Sequence, residues 1–241
     1  MEAVMLRTIV WYTNFALSLV FKIPQGYKVE RLLKAGKISE VDAYVHKTST
    51  NWARSHVKMS GAKVKIFGEE NIPADISVLF VSNHQSNFDI ALFMSHIDKP
   101  KGYIAKIEMK KIPVLRTWME YMHCVFMERG TPRKAAEAIS EGIKILKRGY
   151  SMVLFPEGTR SKGDHMNEFK AGAFKLATKS GVPIVPVTIK GSYKLMEQNN
   201  SKIKPAEVEI YIHPMVHIEN LTREEQVELP DVIKAIIQSK L

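Results

Sequence analysis

Val78-Leu79-Phe80-Val81-Ser82-Asn83-His84-Gln85-Ser86-Asn87-Phe88-Asp89 joins a short apolar run to a histidine and an aspartate five positions apart. On a continuous helix, residues five apart diverge by about 140°. On a continuous strand they point to opposite faces. The two side chains converge only if the backbone changes direction between them. A strand ending near His84, a turn through Ser86-Asn87 and a helix starting near Asp89 would do that. His84 is then a candidate general base, and Asp89 the group that orients and charges it.

The same texture continues on both sides. Strands are expected at 63–67, 77–81, 102–106, 124–127, 151–155, 183–189 and 207–213. Helices are expected near 88–97, 112–121, 132–147, 170–180 and 222–239. Alternation of this kind predicts an α/β fold with a largely parallel sheet flanked by helices. With 241 residues, 45% of them hydrophobic, the chain can bury one large domain plus an appendage. The texture changes at Gly61, which places the appendage at 1–60 and the main domain at 61–241.

A second motif, Phe155-Pro156-Glu157-Gly158-Thr159-Arg160-Ser161, follows the apolar Met152-Val153-Leu154. Pro156 has no N–H to donate and ends the strand. Gly158 permits a backbone conformation closed to other residues and close approach of a ligand. Arg160 offers a fixed fork of donors suited to phosphate. Open α/β sheets bind ligands at the carboxyl ends of their strands. Taken alone, such a segment also fits an ordinary turn with a solvated charge pair. Phe126-Met127-Glu128-Arg129 and the strand-terminal Lys106 are of the same kind: each puts a cation after an apolar run, for an anion site or for a surface ion pair.

The formal charge is +10. Residues 1–65 hold eleven Lys or Arg against four acids, so seven of the ten net charges sit there. A basic N-terminal region suits an anionic partner, nucleic acid or phospholipid. Residues 3–23 are apolar apart from Arg7, Asn14, Ser18 and Lys22, which form one polar stripe at helical spacing. That pattern reads as an amphipathic helix lying in a membrane interface, with a core-packing helix as the alternative. It lacks the flanks of a secretory signal. Pro24-Gln25-Gly26 is expected to break it. A second amphipathic helix is expected over 39–59, with Ser39 as N-cap and Gly61 as stop. Val41, Val45, Thr48 and Trp52 share one face; Lys47, Asn51, Arg54 and Lys58 share the other. It suits an acidic lipid surface or a solvated helix packed on the main domain.

Together these segments resemble the glycerolipid acyltransferase family with its His-x-x-x-x-Asp motif, in particular the bacterial 1-acyl-sn-glycerol-3-phosphate (lysophosphatidic acid) acyltransferases. His84 to Asp89 matches the first block. His123-Cys124-Val125-Phe126-Met127-Glu128-Arg129 matches the second, which usually reads Gly-x-x-Phe-Ile-Asp-Arg, so that His123 and Glu128 depart from it. Residues 155–161 match the third block in full. Val182-Pro183-Ile184-Val185-Pro186-Val187 matches the fourth, and Ala105-Lys106-Ile107-Glu108 an element between the first two. The resemblance covers roughly residues 60–215 and implies a fold of that family's kind, with an N-terminal amphipathic two-helix membrane-docking motif. It implies transfer of a fatty acyl group from acyl-CoA or acyl-ACP to the sn-2 hydroxyl of lysophosphatidic acid, giving phosphatidic acid at the cytoplasmic face of the cell membrane. His84 and Asp89 would be catalytic. Lys106, Arg129 and Arg160 would hold the phosphate, Gly158 and Thr159 would shape its loop, and Glu157 would orient an arginine or accept from the glycerol part. Another lyso-lipid acceptor is the alternative inside the family.

Rival classes fit less well. A Ser/His/Asp hydrolase using Ser86 or Ser161 lacks the Gly-x-Ser-x-Gly elbow. A nucleic-acid-binding module lacks a stacking or helix-turn-helix signature, so no nucleic-acid partner is expected. His46 and His56 are expected to be solvated, and His96 to cap a helix. His165, His213 and His217 fall in or beside loops, and no histidine pair has metal-ligand spacing. No metal and no cofactor beyond the thioester co-substrate is expected. The single Cys124, in an apolar run, is expected to be a small core residue.

Overall fold

The computed structural model describes residues 2–128 and 130–241. Among them, seven strands form one sheet: β1 (Lys63–Phe67), β2 (Leu79–Ser82), β3 (Lys101–Lys106), β4 (Val125–Met127), β5 (Ser151–Leu154), β6 (Ile184–Lys190) and β7 (Glu207–Ile212), in the order β1-β7-β6-β2-β5-β3-β4. β2 lies at the centre, parallel to β6 on one side and to β5 on the other. The sheet is largely parallel, as expected. The exception is β6 against β7, which are antiparallel. The connection between them carries only short 3₁₀ turns, so no crossover helix returns the chain to a parallel course.

Strand alternation sends the side chains of β2 to two cores. Phe80 packs with Ala53, Leu92, Phe93 and Val187; Leu79 and Val81 pack with Leu146, Leu154, Leu176 and Ile233. The first core is covered by α1 (Glu2–Val20), α3 (Ile38–Ser60) and α4 (Phe88–His96). The second is covered by α6 (Pro132–Lys147), α7 (Lys175–Ser180) and α8 (Arg223–Gln238). Two further helices, α2 (Lys22–Lys34) and α5 (Pro113–Tyr121), meet α3 around Val29, Val41, Val45 and Trp118.

The N-terminal region differs from the sequence reading in several details. Residues 2–60 hold the two expected helices, α1 and α3, and a further one, α2, between them. Pro24 lies inside the first turn of α2, where a missing N–H is tolerated. The break falls earlier, because a proline blocks the carbonyl four residues back, and α1 ends at that residue, Val20. Gly26 is accommodated within α2. Ser39 is a first-turn residue of α3, whose N-cap position is held by Lys37 with no side-chain cap; Gly61 ends α3 in the left-handed region as expected, at φ 83°.

The polar stripe of α1, continued by Lys22 of α2, faces the protein. Arg7 donates to the carbonyls of Met59 and Ser60 at 3.4 Å, and Lys22 Nζ to that of Thr48 at 3.3 Å. Ser18 Oγ gives its proton to the Phe15 carbonyl at 2.8 Å and accepts from Trp52 Nε1 at 2.8 Å. His56, expected to be solvated, is buried there among Trp11, Phe15 and Trp52. Its Nε2 meets the already committed Ser18 Oγ at 3.1 Å, so Nε2 carries the proton. Nδ1 is left buried without a partner among the described residues. Burial, then the charge of Lys22, push the His56 imidazole down to about 4. His46 is half-buried and pairs with Asp98 at 2.8 Å.

With its polar stripe turned inward, α1 turns its apolar residues out. Leu6, Ile9, Val10, Leu17 and Val20 are exposed, and Phe21 and Tyr27 extend the surface along α2, each with more than 70% of its area open. By length and composition, Glu2–Lys34 is long and apolar enough to cross a membrane.

Candidate active site

β2 ends at Ser82, but Asn83 continues its pairing through a side chain. The Asn83 amide accepts from the N–H of Ile189 and donates to its carbonyl, both at 2.8 Å. This pins the start of the turn to β6. The chain then bends as expected, and Asp89 becomes the second residue of α4. An anion there meets the positive end of the helix dipole.

Asp89 is fully buried, and four donors offset its desolvation. Oδ2 accepts from the amides of Gln85 at 2.7 Å and Ser86 at 2.8 Å, and from His84 Nδ1 at 2.7 Å. Oδ1 accepts from the hydroxyl of Ser192. A carboxylate so engaged only accepts, so His84 Nδ1 must carry the proton and Nε2 the lone pair. The imidazole stacks on Phe155, with centroids 4.2 Å apart. Its side chain is 16% exposed, and Nε2 has no hydrogen-bond partner among the described residues. A fixed ring with an open basic nitrogen can take a proton from a hydroxyl.

The second motif closes over the first. Ser161 N donates to the His84 carbonyl at 2.8 Å. Glu157 is buried, and its oxygens accept from the amides of His84 at 2.6 Å and Asn167 at 2.8 Å. Burial pushes its carboxyl upward, opposed by those two amides. Glu157 therefore ties the two loops together, with a second lone pair left on each oxygen. Gly158 adopts φ 70°, and a Cβ there would meet Lys170 Nζ at 2.9 Å. Thr159 is exposed. Arg160 points to Glu197, with NH1 donating to Oε1 at 2.7 Å.

Lys106 is exposed at the carboxyl end of β3. β3 stands two strands from β2, about 10 Å along the sheet. Register places Lys106 opposite Met127 at the end of β4. Glu128 pairs with Lys134 of α6. Arg129 lies outside the described residues. The sheet thus brings His84, the 155–161 loop and Lys106 to one edge. His123 precedes β4 at the other edge, with φ 57°. That left-handed backbone accounts for the glycine usual at this place. The His123 ring packs on that of Tyr150 at a tilt of 41°, with centroids 3.9 Å apart, and reaches Asp42 at 3.5 Å. The thiol of Cys124 is pushed up to about 12 by burial, which suits a core residue.

Sequence reasoning missed Ser192 and Glu197. Both belong to the connection after β6, and the signal was Gly191-Ser192 following an apolar strand, the same pattern that marked the other motifs. The Gly191 amide donates to Gln85 Oε1 at 2.9 Å, so this connection also holds the histidine turn.

The model of the family described as Acyltransferase matches residues 63–190. The 1-acyl-sn-glycerol-3-phosphate acyltransferase of Borreliella burgdorferi is 32% identical over 183 residues, covering 76% of this chain and 73% of that protein. A chloroplastic 1-acyl-sn-glycerol-3-phosphate acyltransferase of Arabidopsis thaliana is 38% identical over 157 residues, covering 64% of this chain but 44% of that protein. The crystal structure of the 1-acyl-sn-glycerophosphate (LPA) acyltransferase from Thermotoga maritima superposes with a TM-score of 0.85 at 30% identity, covering 98% of this chain and 93% of that one. The matched region spans the histidine turn and the arginine loop, and the fold is shared over nearly the whole length: the chain belongs to the acyltransferase family.

Proposed function

We propose that the protein transfers a fatty acyl group from an acyl thioester, acyl-CoA or acyl-ACP, to the sn-2 hydroxyl of 1-acyl-sn-glycerol 3-phosphate, giving phosphatidic acid. The observation that carries this reading is the His84–Asp89 pair, with Nδ1 committed and Nε2 open. A hydroxyl is a weak nucleophile at neutral pH. Nε2 takes its proton as the oxygen attacks the thioester carbonyl, and Asp89 stabilises the imidazolium that forms. The C–S bond then breaks, and the thiolate recovers the proton from the imidazolium. A thiol leaves readily, so no covalent acyl-enzyme is needed.

Arg160 and Lys106 are the cations for the acceptor phosphate, with Arg129 assigned by its place in the motif. Gly158 and Thr159 shape the loop that receives it. The exposed apolar face of α1 and α2 docks on the anionic cytoplasmic leaflet, where acceptor and product reside. No cofactor is required beyond the thioester.

An acceptor panel tests the substrate assignment. Lysophosphatidic acid, a phosphodiester lysolipid, 1-acylglycerol and glycerol 3-phosphate are offered with one acyl donor. The expected result is acylation of lysophosphatidic acid well ahead of the rest. A phosphodiester lysolipid or the phosphate-free acceptor used equally well would overturn the assignment.

A further inference from the structure

The segment 191–203, between β6 and β7, carries a carboxylate that the proposed chemistry leaves unused. Glu197 is 5% exposed at its side chain. Its Oε1 accepts from Arg160 NH1 at 2.7 Å and from the main-chain N–H of Asn87 at 2.9 Å. Asn87 lies three residues after His84 and two before Asp89. One oxygen therefore joins the guanidinium of the arginine loop to the histidine turn. The other oxygen, Oε2, is buried without a partner among the described residues, which is costly, so stability alone does not account for the arrangement.

The flanks hold this carboxylate still. Leu195, Met196 and Ile203 are buried in the core under α1 and α4. The Tyr12 hydroxyl donates to the Ser201 carbonyl at 3.1 Å, and Ile203 N donates to Thr8 Oγ1 at 3.0 Å, which ties the segment to α1.

In the acceptor, four covalent bonds separate the sn-2 oxygen from phosphorus. A site that binds the phosphate and deprotonates that oxygen must hold its cation at a matching span from His84. We propose that Glu197 is the positioning residue that sets this span, by holding Arg160 against the Asn87 amide. The inference rests on the reading that Arg160 meets the acceptor phosphate.

Two exchanges in the full-length protein on lipid vesicles test it. Glu197→Asp keeps the charge but withdraws the carboxylate by one methylene. It should raise the KM for lysophosphatidic acid about tenfold, with the KM for the acyl donor unchanged. Glu197→Gln keeps the reach but weakens the bond to Arg160, and should raise the same constant only about threefold. Adding Glu197→Asp to Arg160→Ala should have no further effect. An Asp variant with acceptor KM within about twofold of wild type, or with both KM values raised alike, would overturn the proposal. Should Glu197→Asp not fold, Arg160→Lys tests the link from the other side: loss of the fork should raise acceptor KM about tenfold, and no rise would overturn it. If Arg160→Ala leaves acceptor KM unchanged, the phosphate assignment itself fails and takes this inference with it. If Arg160→Ala raises it and Glu197→Asp does not, only the role of Glu197 fails.

Discussion

The carboxylate of Glu157 accepts the main-chain N–H of His84 at 2.6 Å, so the second motif grips the first at the residue that carries the chemistry. The loops at the ends of β2 and β5 are thereby one unit. Their strands are paired in register, Val81 beside Leu154, and the tie extends that pairing beyond the sheet.

Glu157→Ala removes the acceptor of two amides in a buried loop. An unsatisfied buried donor costs about 1–3 kcal/mol, so the variant should lose about 3 kcal/mol of stability and much of its activity. Chemical denaturation measures the first and acyl transfer the second. A variant as stable as wild type would deny the tie its structural role.

Asp89→Asn tests the tautomer. An asparagine here can turn its NH₂ toward His84, which favours the ring with the proton on Nε2 and so removes the base. Turnover should fall about 10³–10⁴-fold with little change in fold. Retention of a tenth of wild-type turnover would rule out this role for the carboxylate.

His56 links stability to pH. Its folded pKa, about 4, lies below the unfolded value near 6.5. Between those values the unfolded chain binds more protons, so stability rises with pH across that window and is complete above it. Below pH 4 the deficit should reach about 3 kcal/mol. His56→Leu removes the group, and the Ser18 hydroxyl still bonds Trp52 and Phe15. Denaturation midpoints at pH 4 and pH 7 should differ less in the variant than in the wild type; equal differences would contradict this account.

The outward face of α1 and α2 should govern membrane association. Burying one large apolar side chain is worth about 1.5–3 kcal/mol. Leu17→Ser with Phe21→Ser should therefore lower partition onto anionic vesicles by about two orders of magnitude. Both residues are exposed, so the thermal midpoint should hold. Unchanged co-sedimentation with vesicles would remove this face from the docking surface.

How far the sequence could be read follows from the range of each interaction. The seven strands were legible because short apolar runs bounded by Gly, Pro or charge have few alternatives. The turn between His84 and Asp89 was legible because only a reversal lets those two residues meet. The inward stripe of α1 was not. Arg7, Ser18 and Lys22 read as a water-facing edge until the carbonyls of α3 appeared as their partners. His56 reads as solvated for the same reason, since Trp11, Phe15 and Ser18 of α1 enclose it with Trp52 of its own helix. Pro24 signals a stop at its own position, but its ring acts four residues upstream, at Val20. Ser192 and Glu197 stay hidden because Asp89 and Asn87, which they meet in the histidine turn, lie 103 and 110 residues earlier in the chain. Glu157 stood out in its motif, but only the fold shows that its oxygens accept from the amides of two loops.

The central claim is that His84 Nε2 takes the proton of the acceptor hydroxyl. Formation of phosphatidic acid by His84→Ala on vesicles containing lysophosphatidic acid and an acyl thioester tests it most directly, with circular dichroism and thermal melting recorded on the same sample. The expected result is a folded protein with no product above the uncatalysed background. Acyl transfer near the wild-type rate by the folded variant would contradict it.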